Sequence, residues 1–180
     1  DYIKPRYPNT YMILEHFGIP QEENVLINKG FMTWRKMTDE YNECTMAQSG
    51  NKNIGDIMWN YSANGRNAPL PSLIGFMESH DEERMMYKSL QYGNSTQAAQ
   101  GYNLKDTTNI LNRIKLASTF FYPIPGPKMI WQFGELGYDF SINRCTDGTI
   151  NTSCRLANKP IRWDYKTVAA RKRVYDIFSS

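Results

Sequence analysis

Four short apolar runs, each followed by a helix or a helix-bearing excursion, set the strongest limit on what this chain can fold into. The runs are Tyr11-Met12-Ile13-Leu14, Phe31-Met32-Thr33-Trp34, Leu73–Ser79 and Lys128–Phe133. Each has the length and composition of a buried strand, and Gly75 interrupts the third as a glycine does where another backbone packs closely. Between the first two, the spacing predicts a helix over Pro20–Lys29. Pro20 suits its first turn, Glu22 and Glu23 its amino end, and Gly30 its stop. Residues 35–67 are mixed, with room for one or two helices and a long loop, and Gly93–Gly101 is a polar loop. Asp106 is placed to cap a helix reaching Phe121, with Ile110, Leu111, Ile114, Ala117, Phe120 and Phe121 at helical spacing. Tyr138–Lys159 is an elaborated loop, and a helix over Asp164–Phe178 closes the chain, with Val168, Val174, Ile177 and Phe178 as its apolar positions.

Strands alternating with helices predict the α/β class, a parallel sheet covered by helices. Four βα units make half of an eight-unit TIM (β/α)8 barrel; a four-stranded open α/β domain is the other solution. A half barrel would leave two unpaired strand edges, so a homo-oligomer joined through open sheet edges is an expected partner arrangement.

The chain has 180 residues, enough to bury a core of its own or to be part of a larger domain. Its hydrophobic content of 41% and charged content of 22% are those of a globular protein. The net charge of +3 is weak and its basic residues are dispersed, apart from Arg171-Lys172-Arg173, so no nucleic-acid footprint is drawn. That triplet reads as the solvated face of the terminal helix. No apolar run reaches the roughly 20 residues of a membrane helix, and no signal peptide opens the chain. The start at Asp1 without a methionine reads as that of a processed or excised chain.

Of the three cysteines, Cys145 and Cys154 flank a polar, turn-rich segment. Two readings stand: a disulfide pinning that loop, which favours a secreted or periplasmic compartment, or two free thiols. Cys44 has no neighbour that would activate it. With two histidines and no ligand spacing, no metal site is expected in these residues.

Ionisable groups gather where the strands end: Glu15 after the first, Glu78 and Asp81 with His80 after the third, Glu135 after the fourth. In a parallel barrel those ends share one rim. Paired carboxylates there are the requirement of glycoside hydrolysis, one as a protonated acid and one ionised against an oxocarbenium-like transition state. The alternative for the third strand is structural: Ser79 or Asp81 caps a helix beginning at Glu82.

Gly75-Phe76-Met77-Glu78-Ser79-His80-Asp81-Glu82-Glu83-Arg84 resembles the seventh-strand motif of the α-amylase family of glycoside hydrolases, an aromatic, two residues, then Asn-His-Asp. Pro125-Gly126-Pro127-Lys128-Met129-Ile130-Trp131-Gln132-Phe133-Gly134-Glu135 is similar to the eighth-strand segment, Pro-Gly-x-Pro-x-Ile-x-Gln-Gly-x-Glu. Ile13-Leu14-Glu15 stands where the fifth strand delivers the family's catalytic glutamate.

The resemblance runs over the whole chain and implies a single partial domain, residues 1–180, that is the carboxyl-terminal half of the catalytic barrel. It implies Glu15 as general acid/base, Asp81 as the carboxylate that stabilises the transition state, and His80 as a ligand of the sugar at the cleavage point. Trp131 and Tyr138 are candidates for sugar stacking, weighed against core or loop packing, while Glu78 and Glu135 read as structural. The implied substrate is an α-glucan or maltooligosaccharide. Ser79 departs from the usual Asn. The larger departure is the nucleophilic aspartate: no Gly-x-Arg-x-Asp segment occurs here. Strands one to four, and the inserted domain that commonly holds calcium, would precede Asp1, so no cofactor is expected in these residues and the chain alone is expected to be inactive. The rival reading is a non-catalytic half barrel that self-associates or binds carbohydrate.

Overall fold

The computed structural model describes residues 2–48, 50–69 and 71–180; Ser49, within the mixed 35–67 stretch, lies outside them. In chain order the elements are α1 (Ile3–Arg6), β1 (Ile13–Leu14), α2 (Pro20–Asn28), β2 (Met32–Lys36), α3 (Thr38–Met46), α4 (Asp56–Tyr61), β3 (Leu73–Phe76), α5 (Met85–Tyr92), α6 (Thr107–Phe121) and α7 (Ala169–Phe178). The class is α/β with a three-stranded parallel sheet in the order β1-β2-β3. Among the described residues, no helix is long and apolar enough to cross a membrane.

The chain divides into two compact units. The first comprises Asp1–Lys36, Gly55–Gly75 and Pro125–Met129. Here β1 pairs with β2 in parallel, Ile13 opposite Met32 and Leu14 opposite Thr33. The helix α2 forms for the reasons its sequence announces: Pro20 sits in its first turn, Glu22 and Glu23 face the positive end of the dipole, and Gly30 at φ +88° ends it. Glu23 is buried and pairs with Arg66 at 2.8 Å, while Arg66 Nε donates to Asn24 Oδ1 at 3.0 Å. That buried network ties α2 to the segment after α4.

The expected fourth strand, Lys128–Phe133, does not form a ladder. Its pairing is a single parallel bridge between Lys128 and Gly75. Gly75 N–H donates to the Pro127 carbonyl, and Met129 N–H to the Gly75 carbonyl, both at 3.0 Å. At its far end Phe133 turns to φ +59° and opens a 3-10 turn over Gly134–Leu136. The third strand is likewise shorter than Leu73–Ser79, ending at Phe76.

The second unit comprises Met37–Ile54, Phe76–Ile124 and Ile130–Ser180, and packs α3, α5, α6 and α7 together. Asp106 caps α6 as its position suggests, its carboxylate accepting from Thr108 N–H at 2.9 Å and Asn109 N–H at 3.2 Å. Ile110, Leu111, Ile114, Ala117 and Phe121 are buried, but Phe120 faces outward, 55% exposed, because the buried stripe passes through Ser118 instead. The closing helix is split into a 3-10 turn, Trp163–Thr167, and α7; Val174 is buried, whereas Val168 and Ile177 are exposed.

The basic triplet needs a larger correction. Lys172 and Arg173 are solvated, but Arg171 is buried. It donates to the Leu136 carbonyl at 3.0 Å, to the Gly137 carbonyl, and to Asp139 at 2.7 Å. Asp139 also accepts from the Tyr165 hydroxyl. Gly137 is required here, since it lies at φ +65° and a Cβ would meet Leu111 at 2.6 Å.

Candidate functional site

The segment leaving β3 passes from burial to exposure within a few residues. Phe76, Met77, Glu78 and Ser79 are buried; His80 and Asp81 are exposed. Ser79 Oγ accepts from Asp81 N–H at 3.1 Å, turning the chain so that both side chains face water.

The helix that follows starts at Met85, not Glu82, and its cap is neither Ser79 nor Asp81. The buried Glu78 carboxylate reaches across the loop and accepts from Met85 N–H at 2.6 Å. Its other oxygen lies 3.7 Å from the buried Arg84 guanidinium. Burial pushes the Glu78 carboxyl above its ordinary range against the opposing pull of Arg84. Arg84 in turn lies 5.0 Å over the Tyr138 ring. A Cβ on Gly134 would strike the Glu78 carboxylate, so the glycine of the eighth-strand-like segment makes room for this charge. Glu78 therefore closes the loop that displays His80 and Asp81. Neighbouring Glu83 anchors it elsewhere, accepting from Ser141 Oγ at 2.6 Å and Ile142 N–H at 3.0 Å.

On the exposed side, His80 Nε2 lies 3.4 Å from Asp81 Oδ2, and the His80 ring is 5.9 Å from that of Trp131. Arg155 Nη2 donates to both the Asp81 carbonyl, at 2.5 Å, and Asp81 Oδ1, at 2.8 Å. The loop that ends immediately before Arg155 is closed by a Cys145–Cys154 disulfide, which decides between the two readings of those cysteines; Cys44 is free.

Of the residues singled out in the sequence, His80, Asp81 and Trp131 come together in the second unit. Tyr138 does not join them as a ligand platform. It is fully buried, stacked on Phe133 at 5.7 Å, and its hydroxyl donates to the Pro160 carbonyl at 2.6 Å. The packing reading of Tyr138 replaces the sugar-stacking one. Glu135 is half-buried, which raises its carboxyl above the ordinary value. It lines a groove of about 470 Å³ with Ile130, Gln132, Phe133, Ile161 and Trp163. Glu15 belongs to the first unit, where it directly follows β1 and is exposed.

Arg155 and Glu83 were not legible as parts of this arrangement. Neither stands at a helical or strand periodicity; the one available signal was the disulfide spacing just before Arg155. An exposed carboxylate and imidazole beside a partly buried indole can accept from and donate to hydroxyls next to an apolar ring, a combination suited to a polyhydroxylated ligand. No family model matches the chain, and no curated protein matches it.

Proposed function

We propose that the chain is the carboxyl-terminal half of a (β/α)8 barrel from an α-amylase-like, retaining α-glucan hydrolase. The observation that carries this reading is the His80–Asp81 pair: two exposed hydrogen-bonding groups presented after a buried strand, beside Trp131, on a loop locked from beneath by Glu78. A carboxylate displayed this way is organised for a ligand, since a cap alone would need no such support, and the capping is done by Glu78.

In this reading Glu15 protonates the leaving glycosidic oxygen and later activates water, as the resemblance of Ile13-Leu14-Glu15 implies. Asp81 stabilises the oxocarbenium-like transition state and binds sugar hydroxyls, and His80 donates to the same sugar. The aspartate that would form the glycosyl-enzyme is not in these 180 residues. Two carboxylates cannot replace it, because the covalent intermediate needs a nucleophile of its own.

The isolated chain is therefore expected to release no reducing sugar from starch or maltooligosaccharides. Robust release that disappears in Glu15→Gln would overturn the assignment of the nucleophile to an upstream half. In a parent carrying a fourth-strand Arg-x-Asp motif, Glu15→Gln is expected to abolish hydrolysis; unchanged activity there would refute the role of Glu15.

A further inference from the structure

We propose that Arg155 is the positioning residue of Asp81, and that the loop closed by Cys145 and Cys154 serves to hold it there. The inference rests on the reading of Asp81 as a ligand-facing carboxylate, and adds a residue that the family resemblance does not supply.

One guanidinium nitrogen, Nη2 of Arg155, grips Asp81 at two points, the main-chain carbonyl and Oδ1. Oδ2 is left facing His80 Nε2 at 3.4 Å. The two carboxylate oxygens thus have different partners, which selects one side-chain rotamer for Asp81 and orients His80 against Trp131. The main-chain bond fixes where the carboxylate stands, and the side-chain bond fixes which way it faces.

An exposed ion pair of this kind is weak when both side chains are free to wander. Here the Arg155 backbone is over-determined. The disulfide ends at the preceding residue. Lys159 Nζ donates to the carbonyls of Cys154 and Ala157 at 2.8 Å and of Arg144 at 3.1 Å, drawing both sides of the loop onto one ammonium. Cys145 N–H donates to the Thr149 carbonyl at 2.7 Å, and Arg144 bridges Ile150. Upstream, Ser141 and Ile142 are bonded to Glu83, two residues past Asp81. The segment that carries Asp81 is therefore fastened through Glu83 to the start of the loop that leads to Arg155. Pre-organising a ligand-facing group in this way lowers the ordering cost paid on binding.

The chain contains two histidines, which makes the test direct. Imidazole proton–carbon correlation spectra of the whole chain, with no sugar added, give separate signals for His80 and for His16, which lies in the other unit and serves as control. The Trp131 indole shifts the His80 ring protons, so their position reports the orientation of the ring. Arg155→Met is expected to move the His80 signals toward unshifted values and leave His16 in place, with the cooperative unfolding transition retained. Arg155→Lys keeps them near wild type, since an ammonium can make both bonds. Cys145→Ser/Cys154→Ser reproduces the Arg155→Met shift with Arg155 present. Unmoved His80 signals in Arg155→Met overturn the proposal, as does equal displacement in Arg155→Lys. Loss of the unfolding transition in Arg155→Met overturns it too, because it would show a structural role. An unmoved His80 in the cysteine variant overturns the part assigned to the loop. None of these outcomes involves glucan cleavage, so failure here is distinct from failure of the hydrolase reading, which is read by reducing-sugar release.

Discussion

At the scale of single residues, the carboxylates sort by what surrounds them. Glu78, Asp81 and Glu135 look alike in sequence, as acids at strand ends. In the folded chain Glu78 is a buried cap for α5, Asp81 is an exposed and doubly held acceptor, and Glu135 is half-buried. Burial raises the Glu135 carboxyl above its ordinary 4.5, so the folded state binds its proton more tightly than the unfolded chain does. The stability this contributes is complete below 4.5 and is lost as the pH rises through the folded value. Glutamine mimics the protonated acid and escapes that loss. The stability of Glu135→Gln relative to wild type is therefore expected to increase between about pH 4 and about pH 8, measured by urea unfolding. A difference that stays flat or shrinks over that range would contradict the burial argument.

At the scale of elements, α2 and α6 show how far local chemistry carries. Pro20, Glu22, Glu23 and Gly30 bound the first, and Asp106 begins the second, because caps, dipole charges and φ preferences act within one turn. Asp106→Ala is expected to cost about 1 kcal/mol in thermal or urea unfolding, and Asp106→Asn only a few tenths, since asparagine also accepts from the exposed amides. Equal losses in both variants would show that the charge matters more than the acceptor. The fourth strand marks the limit of such reasoning. Lys128–Phe133 has the composition of a strand, yet only Lys128 bridges, because a ladder depends on a partner that composition does not supply.

At the scale of the whole molecule, β1 is an edge strand of the sheet in the first unit, two residues long and partly exposed. An edge of this kind offers unpaired main-chain groups to another chain. The isolated chain is accordingly expected to associate as its concentration rises, seen as increasing mass in light scattering, with Ile13→Pro suppressing the increase by removing a donor and blocking pairing. A monomer at all concentrations would contradict edge pairing and leave the half-barrel reading without its expected companion. The division into two units bears on the same point: each has its own packing, and the second contains the larger helical core.

The sequence by itself determined the α/β class, the limits of α2 and the cap and limits of α6, because helix signals and apolar runs are local properties. The tertiary structure decided three other things. It made Glu78, not Ser79 or Asp81, the cap of α5; it buried Arg171 and Tyr138; and it brought Arg155 onto Asp81 from 74 residues away. Each of these depends on which distant backbone a long side chain meets, and no periodicity or spacing in the chain records that meeting.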